Sequence, residues 1–265
     1  MKITNRYGLP GALMASVATE GGHWYTKAGE QAYTTPNKSK PGTERPTTLR
    51  DARKLLLLPS VTGIIDLTAK PALERWKQEQ ILLSALTLPK VPGEHLDDFA
   101  VRVREDSKEQ AKVARETGTA IHGSLELAFQ GKSYQGHERV VAGVKCALVS
   151  HFGLQKWKPE RSFAHPLGYG GKVDLWSDAT VIDYKAKEKF AKKMAYDEHA
   201  MQLNAYRHGL GLPTARIANV FVSWTGEVEI HEWDDEAENE RYWGMFQDLL
   251  RYWQKFKKYD SSVAG

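Results

Sequence analysis

The chain has 265 residues, 41% of them hydrophobic, and its 37 Lys and Arg against 33 Asp and Glu give a formal net charge of +4. This composition allows one sizeable core, and the mild positive balance suits a polyanionic partner without requiring one. The single cysteine excludes an internal disulfide framework and a four-cysteine iron–sulfur cluster. The mean hydropathy is −0.52, and the sequence contains neither a membrane-spanning run nor a signal peptide. We therefore expect a soluble, cytoplasmic protein that does not contact a membrane.

The first 58 residues are rich in Gly, Thr, Pro and Lys and have weak periodicity, which predicts a loop-rich N-terminal arm. Within this arm, residues 34–48 carry three prolines and scattered basic residues, a composition typical of an extended loop. Thr48 and Asp51 have the spacing of a capping box and predict the start of a short helix. A new section begins at Pro59, so we expect one catalytic domain over residues 59–265.

Helical and strand patterns alternate through that domain. The long helix over 96–129 is followed by Gly131 as a stop signal, and Pro71 suits the first turn of the helix before it. The predicted helices cover residues 70–86, 96–129, 136–152, 196–210 and 236–259. The predicted strands cover residues 161–165, 170–177, 180–185, 216–224 and 228–233. Together they predict an α/β fold in which helices flank a central mixed sheet.

Residues 170–185 form the most informative segment, because they read as two strands joined by a short turn with apolar and polar residues alternating on both sides. Side chains alternate between faces with period two, so Asp183 and Lys185 share a face, and the hairpin brings Asp174 beside them. Two adjacent carboxylates repel unless a cation lies between them, and a divalent ion with oxygen ligands commonly fills that role. A solvated, salt-bridged face is the alternative interpretation. The buried positions of the hairpin are predicted to be Val173, Leu175, Val181 and Ile182.

Further polar residues in the predicted helices could join this hairpin. Gly118 and His122 are four residues apart and lie on one face of the long helix, and Gln202 and Tyr206 form a similar pair on the helix over 196–210. Met201, Leu203, Ala205 and Leu210 are expected to pack inward while Gln202 and Tyr206 face the cleft. Glu160 either adds a carboxylate to the cleft or caps the end of a strand.

Two basic features fit nucleic acid as well as ordinary structure. Lys187 belongs to a run of lysines that begins at Lys185 and extends to Lys193. Such a run is typical of a solvated face, and on a nucleic-acid enzyme it would contact phosphates. Trp76, between Arg75 and Lys77, fits a core position, and stacking on a single strand is the alternative.

In order along the chain, Gly118-x-x-x-His122, Gly171-x-x-Asp174, Asp183-x-Lys185 and Gln202-x-x-x-Tyr206 resemble the RecB-like branch of the PD-(D/E)XK nuclease superfamily, in particular its phage-encoded exonucleases. The resemblance covers roughly residues 59–233. It implies the restriction-endonuclease-like core of that superfamily, a central mixed β-sheet flanked by helices. The single cysteine argues against the iron–sulfur members of the branch.

The resemblance also implies a role for each matching residue. His122, Asp174, Asp183 and the Tyr184 carbonyl would ligate one or two Mg²⁺ or Mn²⁺ ions, and Lys185 would orient or deprotonate the attacking water. Gln202 and Tyr206 would position that lysine and the scissile phosphate. The implied activity is a metal-dependent DNA exonuclease of phage recombination, replication or repair.

Two alternatives to an exonuclease remain open. The first is a structure-specific or nicking endonuclease that uses the same chemistry. The second is a DNA-binding module of the same fold that has lost catalysis. Single- or double-stranded DNA ends are the expected partner in the leading interpretation, and a single-strand annealing protein could accompany them.

Overall fold

Residues 23–262 are described by a computed structural model, and the predictions for the rest of the N-terminal arm and for residues 263–265 lie outside the described residues. The strands are β1 (Trp24–Tyr25), β2 (Thr34–Pro36), β3 (Glu44–Pro46), β4 (Leu58–Pro59), β5 (Lys158–His165), β6 (Tyr169–Trp176), β7 (Thr180–Lys187), β8 (Arg216–Ser223) and β9 (Val228–Glu232). The helices are α1 (Leu49–Leu55), α2 (Val61–Ile65), α3 (Pro71–Thr87), α4 (Leu96–Phe129), α5 (Glu138–Phe152), α6 (Asp197–Gly209) and α7 (Glu236–Lys257).

The central sheet has five strands in the order β5-β6-β7-β8-β9. The pairing of β7 with β8 is parallel and the other three pairings are antiparallel, so the sheet is mixed. The parallel pair requires a crossover, and α6 supplies it. β8 is buried at seven of its eight positions, as expected for a strand covered on both faces.

Helices cover both faces of this sheet. One apolar cluster joins the sheet to α2, α6 and α7 and includes Val181 and Ile217. A second cluster joins the opposite face to α4 and α5 and includes Ile182 and Val220. Consecutive residues of one strand thus enter different clusters, because side chains alternate across a strand. The predicted α/β fold with a mixed sheet flanked by helices is confirmed, and the four apolar positions predicted for the hairpin are buried.

The described part of the N-terminal arm packs onto the sheet. Trp24 lies in the first apolar cluster, and its ring meets Trp253 of α7 edge to face with centroids 6.1 Å apart. The prediction of an extended loop over residues 34–48 is wrong in part, because residues 34–46 include the antiparallel pair of strands β2 and β3. The predicted capping box is confirmed, since the Thr48 side chain accepts from the Asp51 amide and the Asp51 carboxylate accepts from the Thr48 amide.

The helices were located well by periodicity, although large apolar residues on two of them are exposed to solvent. α4 covers the predicted residues, and Gly131 follows it at φ 71°. On α3 the leucines are exposed, Leu82 at 61%, and Trp76 is half-buried and in neither apolar cluster, so a core position for Trp76 is wrong. On α7 Phe256 is 58% exposed. Periodicity identifies an apolar face without identifying what covers it.

Within residues 23–262 no helix combines the length and the apolar character that crossing a lipid bilayer requires.

Candidate functional site

The strands β6 and β7 separate soon after the turn that joins them. Their ladder has two register pairs, of which Leu175 with Ile182 is the one further from the turn. Immediately beyond it, Oδ2 of Asp174 accepts a hydrogen bond from the backbone N–H of Tyr184 at 2.9 Å. The carboxylate therefore satisfies an amide that the opposite strand no longer reaches. Asp174 and Asp183, the two predicted carboxylates, lie at this opening.

The long helix α4 brings His122 to Asp174, as its place in the sequence motif predicted. Nδ1 of His122 lies 3.5 Å from Oδ2 of Asp174. The imidazole also meets the ring of Tyr184 edge to face, with centroids 5.8 Å apart. One turn earlier, a Cβ on Gly118 would lie 3.7 Å from Cβ of Ala186, an ordinary contact. The helix therefore passes over β7 at this point with room for a methyl group.

Asp183 is buried, with 6% of its side chain exposed, and three side chains donate to it. Its Oδ2 lies 2.8 Å from Nζ of Lys185 and accepts from Nδ2 of Asn219 at 2.9 Å. Its Oδ1 accepts from Nε2 of Gln202 at 3.1 Å. Asn219 is in position because β8 runs parallel to β7 with Asn219 directly opposite Asp183. Three donors on one carboxylate hold it in a single orientation.

Gln202 links Asp183 to the catalytic lysine candidate. Its Oε1 accepts from Nζ of Lys185 at 2.9 Å, and its Nε2 also donates to the Tyr206 hydroxyl at 2.8 Å. Gln202 and Tyr206 lie on the side of α6 that meets Asp183 and Lys185, as predicted, and they are only 7% and 5% exposed. The reason is that α6 is the crossover helix, buried from His199 to Arg207 on nearly every side.

Glu160 lies within β5, so it does not cap the end of that strand. The register of β5 on β6 places it opposite Asp174, and its φ of 31° is a conformation that residues other than glycine rarely adopt. Its carboxylate pairs with Lys172 of β6. Burial is the main cause that raises the pKa of Glu160. Lys172 lowers this pKa, and the charge of Asp174 raises it further. Glu160 thus lies near Asp174 and forms a salt bridge with Lys172.

Two predicted residues remain, Lys187 and Trp76, and only the first lies on a strand that carries the cluster of Asp174, Asp183, Lys185, His122 and Gln202. Lys187 is the last residue of β7, two positions beyond Lys185, and is half-buried. Trp76 lies on α3, which packs mainly against α4. No ring contact or hydrogen bond connects Trp76 with the cluster in the part of the chain that the structure describes. The structure therefore assembles the predicted hairpin, histidine, glutamine and tyrosine, and leaves Trp76 apart from them.

The charges of the site act strongly on one another because its side chains are close together and buried or partly buried. Burial opposes ionisation of Asp174, yet the neighbouring His122 lowers the pKa of that carboxyl. Burial likewise disfavours the imidazolium, but the carboxylates of Asp174 and Asp183 raise the pKa of His122. The pKa of Asp183 is raised by burial and by the charge of Asp174, although Lys185 acts in the opposite direction. The cationic neighbours thus stabilise the charge of Asp174, and that charge in turn makes ionisation of Asp183 less favourable.

The chemistry of these donors fits a divalent cation. Asp174 and Asp183 supply carboxylate oxygens, the donors that Mg²⁺ and Mn²⁺ prefer, and imidazole suits Mn²⁺ better than Mg²⁺. Among residues 23–262, no three His, Cys, Asp or Glu side chains converge as a ready-made metal site. The oxygens of Asp183 are instead engaged by Lys185 and two amide groups. The donor types fit a hard cation, and their present contacts are with one another.

Asn219 is the functional candidate that sequence reasoning missed. Its amide donates to Asp183, while its Oδ1 accepts from Nε1 of Trp233 at 3.0 Å. A signal was present, because Asn219 is a polar residue in the middle of an otherwise apolar strand segment. A buried amide in such a position requires hydrogen-bond partners.

Comparison with known proteins leaves the site to be interpreted from its own geometry. No family model and no curated protein matches the chain. Among the solved structures that do match is one described as "Crystal structure of SSO0001", which is 18% identical over an alignment covering 68% of this chain and 86% of that chain, with a TM-score of 0.28. A TM-score of this size does not establish a shared fold.

Proposed function

We propose that the chain is a divalent-metal-dependent deoxyribonuclease, an exonuclease of the RecB-like branch of the PD-(D/E)XK superfamily. The observation that carries the proposal is the convergence of Asp174, Asp183 and Lys185 where β6 and β7 separate. A structural or purely binding role has no need for one buried carboxylate, one partly buried carboxylate and a lysine at one point, because removing them from water costs free energy. The ordered motifs of the sequence and the mixed sheet flanked by helices support the same assignment.

Each residue has a distinct task in this proposal. Asp174, Asp183, His122 and the carbonyl of Tyr184 would hold Mg²⁺ or Mn²⁺. When bound, such an ion lowers the pKa of water and stabilises negative charge on a phosphate. Lys185, held between Asp183 and Gln202, presents its ammonium to the same space and orients the attacking water.

The reaction is hydrolysis of a phosphodiester. An oxygen of water bonds to phosphorus, the bond from phosphorus to the leaving sugar oxygen breaks, and that oxygen takes up a proton. The ammonium of Lys185 lies where it can donate a hydrogen bond to the incoming water or to a phosphate oxygen. Gln202 fixes the lysine through Oε1 and is itself fixed by the hydroxyl of Tyr206. Gln202 and Tyr206 are therefore positioning residues.

The first test is cleavage of DNA by the wild type and by Lys185→Ala. We expect end-labelled linear DNA to be degraded with Mg²⁺ or Mn²⁺ but not with EDTA, and covalently closed circles to stay intact. Lys185→Ala should lower the rate by about 10²- to 10³-fold, the scale of a positioned acid–base group. Running single- and double-stranded substrates in parallel gives the strand preference.

Other outcomes of this assay would change the assignment. Cutting of closed circles that depends on Lys185 would identify an endonuclease with the same chemistry. Binding of DNA without cleavage under any metal condition would identify a DNA-binding module. Cleavage by the variant at the wild-type rate would contradict the role given to Lys185.

The metal site has a test that does not depend on activity. Mn²⁺ or Mg²⁺ at about 100 times its dissociation constant should stabilise the fold by about 2.7 kcal/mol. In a chain of this size that corresponds to a rise in melting temperature of about 5–10 °C. Asp174→Asn should remove the rise, and Asp178→Asn, in the exposed turn between β6 and β7, should keep it. Equal rises in wild type and Asp174→Asn would place the metal elsewhere.

A further inference from the structure

Lys187 is a second lysine on the face of β7 that carries Asp183 and Lys185. Residues two apart on a strand share a face and are separated by about 6.6 Å along it. The main chain of Lys187 is fixed, since its carbonyl accepts from the Trp224 amide at 3.0 Å. The strand therefore presents two ammonium groups in a row, the first of which is engaged by Asp183 and Gln202.

Among residues 23–262 no carboxylate or amide engages the ammonium of Lys187 in this way. Lys187 forms no salt bridge with any carboxylate of residues 23–262, although it is half-buried. Burial is the main cause that lowers the pKa of Lys187, Lys185 adds to it, and Glu198 acts in the opposite direction. A partly desolvated ammonium without a counter-ion is costly to the folded state. An anion from outside the chain would remove that cost.

The surroundings of Lys187 are positive as well. The pKa of His199 falls to about 2, first through burial and then through the charges of Lys185, Lys187 and Lys70. The charges of all three lysines thus act on His199, in the first turn of α6, in the same direction. Lys70 is paired with Asp66, which leaves Lys187 as the member of the three that is held by neither a carboxylate nor an amide among the described residues.

We propose that Lys187 binds the phosphate next to the scissile one on the same nucleic-acid strand. The proposal rests on the nuclease function proposed above and adds the direction in which the strand runs, along β7 from Lys185 toward the start of α6. The rise of about 6.6 Å along the strand between residues 185 and 187 is comparable with the spacing of neighbouring phosphates in an extended nucleic-acid strand. Lys187 is thus a substrate-binding residue that takes no part in the bond-breaking step.

The test compares Lys187→Gln with Lys189→Gln, which removes the same charge from an exposed lysine two residues further on. We expect Lys187→Gln to raise KM about tenfold, the scale of one charge-assisted hydrogen bond, with kcat changed less than twofold. Lys189→Gln should change KM less than twofold. Lys187→Arg, which keeps the charge, should restore most of the wild-type KM and confirm that the position tolerates substitution.

A substrate with a single methylphosphonate linkage locates the contact. The wild type should slow at two successive cleavage events, at the uncharged linkage itself and at the event in which that linkage is the neighbour. Lys187→Gln should slow when the uncharged linkage itself is cleaved. It should show no additional delay at the event in which that linkage is the neighbour. Equal delays in the two proteins, or equal losses in the two glutamine variants, would overturn the proposal in favour of a general basic surface.

Failure of this proposal can be told apart from failure of the nuclease assignment. If the wild type cleaves no DNA with Mg²⁺ or Mn²⁺, the nuclease assignment fails. Binding of a single-stranded oligonucleotide across a range of salt concentrations then decides the phosphate contact. Loss of one phosphate contact reduces, by about 0.7, the slope of the logarithm of the binding constant against the logarithm of the salt concentration. An unchanged slope in Lys187→Gln would contradict the proposed phosphate contact as well.

Discussion

Asp183→Asn should abolish metal-dependent DNA cleavage while leaving DNA binding intact or tighter. We expect the rate to fall at least about 10³-fold, because removal of a carboxylate that holds a divalent ion forfeits several kcal/mol of transition-state stabilisation. The variant also removes a negative charge close to the path of a polyanion, which favours binding. Cleavage rates and DNA affinity, measured on the same preparation, test both parts.

The stability of this variant separates catalysis from architecture. An amide at position 183 has one donor and one acceptor end, whereas three donors now converge on the carboxylate. A moderate fall in melting temperature is therefore expected beside the loss of activity. Asp178→Asn makes the same chemical change in an exposed turn and should cleave like the wild type. If Asp183→Asn changed only the melting temperature, the carboxylate would be structural and the nuclease proposal would fall.

Gly209→Ala should destabilise the fold even though it places a better helix former near the end of α6. A Cβ at Gly209 would overlap the ring of Phe163, which is 5% exposed. The ring cannot retreat, because its far side lies against Gly171, where an added Cβ would be 2.7 Å from Cζ of Phe163. Overpacking of this kind costs about 1–3 kcal/mol. We expect a net loss of about 2 kcal/mol, measured by denaturant unfolding.

Gly244→Ala supplies the control for this effect. Gly244 lies within α7, and an added Cβ there meets nothing within 4 Å. The same substitution should therefore stabilise the protein by about 0.5–1 kcal/mol through helix propensity alone. A second substitution, Phe163→Leu, should recover part of the loss in Gly209→Ala, which a double-mutant cycle would report. Similar changes in both alanine variants would contradict a tight fit around Phe163.

The clash at Gly209 should also reach the site. Phe163 meets Tyr206 edge to face with ring centroids 6.0 Å apart, and the Tyr206 hydroxyl accepts from Gln202. A displaced Phe163 therefore pushes on the residue that fixes Gln202, which in turn holds Lys185. Glycine at positions 171 and 209 lets one aromatic ring join the sheet to the helix that positions the lysine.

Local pattern was sufficient to predict the parts of the site that lie within one element or one turn. The alternation from 170 to 185 located both strands of the hairpin, and the i, i+4 spacing located Gln202 and Tyr206 on one helix. The contact of Asn219 with Asp183 was beyond such reasoning, because it depends on the register of two parallel strands joined through a whole helix. Long-range register is not encoded in any short window of sequence.

Burial was harder to predict than secondary structure, for a related reason. The apolar stripe of α3 has the spacing of a core face, yet α3 lies against α4 at the margin of the fold and most of its leucines are exposed. Conversely, Gln202 and Tyr206 have the composition of a cleft face and are buried, because α6 is the crossover between β7 and β8. The number of neighbours around a helix is a property of the topology.

The early separation of β6 and β7 also limits where related chains with the same site can gain or lose residues. Along the chain, two register pairs and one turn separate Asp174 from Asp183. In that turn the amides of residues 179 and 180 donate to the hydroxyl of Ser177. One inserted or deleted residue in this turn would move every later side chain of β7 to the opposite face. The exposed tip between α3 and α4 carries no such constraint. We expect related chains to vary freely in length at that tip and to keep the nine-residue interval between the two carboxylates unchanged.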